Sequence, residues 1–119
     1  MPEITIFHNA ACSTSRYAKD CAVAGGVSAT IVEYLKHPLT YDEILVLLGK
    51  LEDPPADLVR KDAFFAEQGL DAADYQAPAE VAALLAQFPR LMQRPVLVRG
   101  GRAIIGRPKS RADTFLTAD

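Results

Sequence analysis

The chain has 119 residues, half of them hydrophobic, and a formal net charge of −2, a size and apolar content that suit one self-sufficient domain. No apolar run approaches the ~18 residues that span a bilayer, and "MPEITIF" has neither the basic start nor the long apolar stretch of a secretory leader. Two cysteines are too few to staple a small secreted domain, so the expectation is a cytoplasmic protein in a reduced compartment, with no membrane partner.

Residues 3–8, "EITIFH", alternate polar and apolar and read as a strand. A polar turn over 9–13 follows, and residues 14–24 put Tyr17, Cys21 and Ala24 at helical spacing before the stop at Gly25-Gly26. "ATIVEYL", 29–35, reads as a second strand, so the first two strands joined through a helix predict a parallel βαβ unit. Thr40 and Glu43 form a capping box that opens a helix over 41–50. Pro54-Pro55 interrupts, and two or three short helices lead to a stop at Pro89. "PVLV" and "RAIIG" flank Gly100-Gly101 as a hairpin, and a last short helix starts near Pro108.

The order βαβ, helices, ββα predicts one α/β domain over 1–119: a thioredoxin-like mixed four-stranded sheet with a helical insertion at about 40–88. Charge follows the same division. Asp42 to Glu80 holds ten acidic and three basic residues, whereas Arg90 to Arg111 holds seven basic residues and no acid. The C-terminal third therefore attracts anions. The acidic balance of the whole chain and the lack of aromatic-interleaved basic repeats argue against a nucleic-acid partner.

Within "FHNAACSTSR", Cys12 stands just ahead of the first helix. A thiol is a nucleophile only as thiolate, and unpaired N–H groups at a helix start favour an anion there. Ser13, Thr14 and Ser15 add hydroxyls, Arg16 adds a cation, and Asn9 makes the turn polar. Cys21 reads differently, as a buried structural residue on the inward face between Ala18 and Ala22. The two cysteines are nine residues apart, which along a helix of ~1.5 Å rise separates their Cα atoms by roughly 12–14 Å. A disulfide tolerates about 7 Å, so any adduct of Cys12 must be released by an external thiol. Cys12, Cys21, His8 and His37 match no zinc spacing, and "CSTSR" is too short for a phosphatase-type loop. Neither a metal nor a bound cofactor is expected.

Taken together and in order, "ITIFHNAACSTSR", "LVRK" around Arg60, "QRPVLV" around Arg94 and "GRPKS" around Arg107 resemble the glutaredoxin-coupled arsenate reductase family, along essentially the whole chain. The resemblance implies a thioredoxin-like fold and an arsenate reductase in which Cys12 attacks the arsenate oxyanion. Glutathione then serves as co-substrate, glutaredoxin as partner, and arsenite is released. It further implies that Arg60, Arg94 and Arg107 bind the oxyanion, that His8 and Ser15 help hold Cys12 as thiolate, and that Pro95 is the cis-proline beside the redox thiol. Guanidinium forks suit this work, since they offset the repulsion between a thiolate and an incoming anion. Ala10 and Ser13 stand where the family usually has Pro and Gly, and the chain stops soon after the last helix, as in the shorter chromosomal members. Two other readings stay open: a glutathione-dependent reductase of another substrate, and a non-enzymatic regulator that binds RNA polymerase.

Overall fold

The computed structural model describes residues 4–117. Strand β1 (Ile4–His8) is followed by helix α1 (Ser13–Ala24) and strand β2 (Ala29–Glu33). In β1 the residues Ile4, Ile6 and His8 are buried and alternate with half-buried Thr5 and Phe7, as the two-residue period of a strand requires. Residue 3, at the predicted start of this strand, lies outside the described residues. Strand β2 ends two residues before its predicted limit. Tyr34 turns into the core while the N–H groups of Lys36 and His37 both reach the Glu33 carbonyl at 2.9 and 3.0 Å, bending the chain away from the sheet.

Helix α1 stops as expected, because Gly26 has φ 66° and the Val27 N–H closes on the Ala22 carbonyl at 2.9 Å. Its buried stripe is Ser15, Ala18 and Ala22, one position away from the predicted Tyr17, Cys21 and Ala24. Tyr17 and Cys21 lie half-buried at the rim, and Ala24 is exposed. Small side chains occupy the stripe because the helix packs close to the sheet. Cys21 therefore corrects the expectation of full burial.

Thr40 opens α2 (Tyr41–Lys50): its hydroxyl accepts from the Glu43 N–H at 3.2 Å, and the Glu43 carboxylate accepts from the Thr40 N–H at 2.9 Å. Such a cap contributes about 1 kcal/mol. A 3-10 turn at Pro55–Leu58, α3 (Ala63–Glu67), a second 3-10 turn at Ala72–Asp74, α4 (Pro78–Gln87) and a third at Pro89–Leu91 complete the helical insertion. Strands β3 (Val96–Arg99) and β4 (Arg102–Ile105) flank Gly100, whose φ of 58° makes the turn, and α5 (Lys109–Thr117) ends the described chain.

The strands line up as β2-β1-β3-β4, with β1 and β2 parallel and the other neighbours antiparallel. This is the mixed four-stranded sheet expected. Alternation divides its side chains between two cores. Ile4, Ile6, Leu97 and Ile104 meet α1 and α5, while Val96, Ala103 and Ile105 meet the helical insertion. Two backbone bonds close the insertion on itself just ahead of β3. Arg60 N–H reaches the Leu91 carbonyl and Gln93 N–H the Leu58 carbonyl, both at 2.7 Å, which brings Arg60 beside the approach to β3. At the opposite edge, Glu52 N–H bonds the Ala103 carbonyl at 2.9 Å, covering part of an otherwise open strand edge.

Candidate active site

Cys12 is the N-cap of α1, with extended backbone (φ −98°, ψ 123°). The turn before it is built by Asn9, whose carbonyl accepts from the Cys12 N–H at 3.0 Å and whose side chain accepts from the Ala11 N–H at 2.9 Å. Arg16 folds back over the turn and donates to the Ala10 carbonyl at 2.8 Å. A helix start leaves its first N–H groups without backbone partners, so the sulfur sits where those donors emerge.

Burial by itself would raise the Cys12 pKa. The N–H groups of Ser15 and Thr14 and the guanidinium groups of Arg94 and Arg107 more than offset it, and the value falls to about 7. Arg107 Nη1 lies 3.8 Å from Cys12 Sγ and also donates to the Arg94 carbonyl at 2.9 Å. One guanidinium thus joins the thiol to the segment ahead of β3 that carries the second arginine. A substantial thiolate fraction at neutral pH follows.

The hydroxyl of Ser15 is buried and engaged by β1 and the turn that follows it. It accepts from the Asn9 N–H at 3.0 Å and pairs with His8 Nδ1 at 2.7 Å. What Ser15 offers Cys12 is its backbone N–H. His8, on the α1 face of β1, has its pKa lowered by burial and by Lys19, against the opposing effect of Glu33. At neutral pH it is an uncharged partner that holds the helix start against the strand.

Both Arg94–Pro95 and Arg107–Pro108 are cis peptide bonds. Pro95 is fully buried and its carbonyl accepts from the Gly106 N–H at 2.8 Å. A Cβ on Gly106 would come within 2.8 Å of Leu97 Cδ1 and 2.9 Å of Pro95 Cγ, so only glycine permits this approach, and the approach sets Arg107 beside Arg94. The Nε of Arg94 is buried and has no acceptor among the described residues, a donor that a bound oxyanion would satisfy. Arg60, half-buried, pairs with Asp62 at 3.3 Å. Its charge reaches Tyr34 together with that of Arg94.

Tyr34 was not singled out from the sequence. It is 1% exposed, and its hydroxyl donates to the Met92 carbonyl at 3.2 Å. Burial raises its pKa, opposed by Arg94 and Arg60, so the phenol stays neutral. The only signal in the sequence was a tyrosine at the end of an apolar strand, which reads as ordinary core. Among the described residues no group of three or more His, Cys, Asp or Glu side chains is placed to hold a metal, and no helix is long and apolar enough to cross a membrane. Cys12 and Cys21 are both free thiols.

Comparison with known proteins adds a family context to this geometry. The sequence model of the ArsC family matches residues 7–115. An arsenate reductase of Neisseria meningitidis is 36% identical over 118 residues, covering 98% of this chain and all of the relative. An arsenate reductase of Escherichia coli is 35% identical over 99 residues, 82% of this chain and 70% of the relative. Among solved structures, a putative arsenate reductase from Yersinia pestis superimposes with a TM-score of 0.82 at 30% identity, covering 97% of this chain and 99% of that one.

Proposed function

This chain belongs to the ArsC family, and from that premise we propose that it is an arsenate reductase in which Cys12 is the nucleophile and glutathione and glutaredoxin are the external reductants. The observation that carries the reading is the pairing of a thiol at a helix N-cap position with a guanidinium 3.8 Å away. The Cys12 thiolate attacks the arsenic of arsenate, forming a sulfur–arsenic bond and expelling one oxygen, which leaves as water after protonation. Glutathione adds to this adduct and glutaredoxin resolves the mixed species. Overall, two thiols give up two electrons to become a disulfide while pentavalent arsenic becomes trivalent, and arsenite departs.

Arg94, Arg107 and Arg60 take the arsenate oxygens. Their charge offsets the repulsion that would otherwise keep a thiolate from an anion. His8 and Ser15 position the Cys12 turn, Asn9 and Arg16 hold its backbone, Thr14 adds an N–H, and Pro95 shapes the wall beside the sulfur. Cys21 cannot serve as the second thiol, since it lies along the same helix at a distance no disulfide spans. An external thiol is available in the reduced cytoplasm, where the enzyme would act.

The test is arsenite formation by purified protein supplied with arsenate, glutathione and glutaredoxin, each omitted in turn. Arsenite produced only with all three present supports the reading. No arsenite, together with reduction of small glutathione disulfides, would overturn arsenate as substrate.

A further inference from the structure

A cavity of about 320 Å³ lies between the first part of the insertion, the end of β4 and the start of α5, and Arg107 lines it. That volume falls at the lower end of the ~300–1,000 Å³ range of small-molecule sites, the end that suits a short peptide. Arg107 Nη1 is also the group 3.8 Å from Cys12 Sγ, so the cavity adjoins the reactive thiol. Its lining charges are mixed: Lys61, Arg107 and Arg111 stand against Asp53 and Asp57. Asp53 is satisfied within the protein, since it accepts from Arg111 Nη1 at 2.7 Å and from the Ile105 N–H at 3.0 Å, which ties α5 to the end of β4. Asp57 has no ion pair among the described residues. Lys61 Nζ donates to the carbonyls of Ala56 at 2.7 Å and Val59 at 3.2 Å, which orient the ammonium without neutralising it. Those two carbonyls bracket Asp57 in the chain, so an unpaired anion and an un-neutralised cation share one short stretch. Such a pair matches the ammonium and carboxylate of an amino-acid end, whereas the aspartates would repel a bare oxyanion.

We propose that this cavity is the binding site of the reducing co-substrate, a peptide thiol with two carboxylates and one ammonium, the charge pattern of glutathione. Asp57 and Lys61 take the ammonium and carboxylate of its γ-glutamyl end, and Arg111 takes the glycine carboxylate with the nitrogens that Asp53 leaves open. Three cations against two acids complement a ligand whose carboxylates outnumber its ammonium. A tripeptide spans at most about 10 Å, so a molecule held by both ends carries its central cysteine toward Arg107, and with it toward Cys12. The inference rests on the reading of glutathione as co-substrate, but its test needs no arsenate.

The experiment titrates the full chain with S-methylglutathione, which cannot react, and follows backbone amides by nitrogen-15 NMR. Saturable shifts are expected at Lys61, Gln93 and Arg111. The double variant Asp57→Asn with Lys61→Gln, both exposed positions, should bind about tenfold more weakly, and its own spectrum reports whether it is folded. The same probe with its glycine carboxylate amidated should bind the parent about fivefold more weakly, and Arg111→Gln should erase that difference between the two probes. Unchanged affinity in the double variant, or shifts confined to the Cys12 turn, would overturn the proposal. Should Arg111→Gln not fold, the double variant decides alone. Unchanged binding in the double variant beside normal arsenite formation removes this site and leaves the chemistry of Cys12 as read. Weakened binding in that variant, in a protein that forms no arsenite, supports the site and removes arsenate as substrate.

Discussion

The two cysteines of α1 differ in almost everything except the helix that carries them. Cys12 caps its start, faces N–H groups and two guanidinium groups, and has a pKa brought down to about 7. Cys21, further along, is half-buried against α5, where its sulfur meets the Asp113 carboxylate at 3.4 Å. Burial and that carboxylate hold its pKa up, with Tyr17 opposing them. The same atom is thus poised for chemistry at one place and disabled at the other. Burial raises both thiols; backbone N–H groups and guanidinium groups outweigh it at Cys12, and the Asp113 carboxylate adds to it at Cys21.

The most severe way to separate the two sites is substitution. Cys12→Ser is expected to abolish arsenite formation and Cys21→Ser to leave it near the parental rate, measured under the coupled glutathione and glutaredoxin assay. Full activity in Cys12→Ser would end the comparison. Removing the guanidinium at the sulfur comes next: Arg107→Gln should cost about a hundredfold in kcat/KM for arsenate, and it should also raise the Cys12 titration midpoint, whereas a rise confined to KM would show binding without activation.

pH sharpens the contrast further. Alkylation of Cys12 by iodoacetamide should reach half its maximal rate near pH 7, with Cys21 unreactive until well above it. The sign for stability follows from the same shift. Because folding depresses the Cys12 pKa, the unfolded chain holds the proton more tightly between about pH 7 and the ordinary thiol range. Stability should therefore rise with pH across that window in the Cys21→Ser protein, and this rise should vanish in Cys12→Ser.

Gly106→Ala tests the support of the reactive end. Its new methyl meets Leu97 and Pro95 inside 3 Å, so it should destabilise the fold by about 1–3 kcal/mol, read as a lower urea midpoint, and should raise the Cys12 midpoint by displacing Arg107. The smallest effect belongs to the quiet end. Asp113→Asn should lower the Cys21 pKa and release the Tyr17 hydroxyl, whose pKa is pushed up to about 12 by its bond to that carboxylate; arsenate turnover should not change.

Much of this architecture could be read from local pattern. The capping box of Thr40 and Glu43, the break at Gly25-Gly26 and the hairpin around Gly100-Gly101 are short-range chemistry, and each appears where its residues predict. The helix face was misread by one position because Tyr17 and Cys21 look apolar enough to be core, while the buried stripe uses Ser15 between sheet and helix. The bonds that enclose the Ser15 hydroxyl, with His8 Nδ1 and from the Asn9 N–H, tie helix to strand across a turn that periodicity does not describe.

Local spacing alone determined the order of strands and helices, the placement of a single thiol at a helix mouth, and the absence of a second thiol within its reach. Those depend on periodicity, capping and chain geometry over a few residues. Only the tertiary structure decided which charges surround that thiol. Arg94 and Arg107 come to Cys12 from the two ends of the β3–β4 hairpin, which close on each other where Gly106 packs against Pro95. Electrostatic fields act through space, and the distances that set them are fixed by long-range pairing that no local pattern encodes.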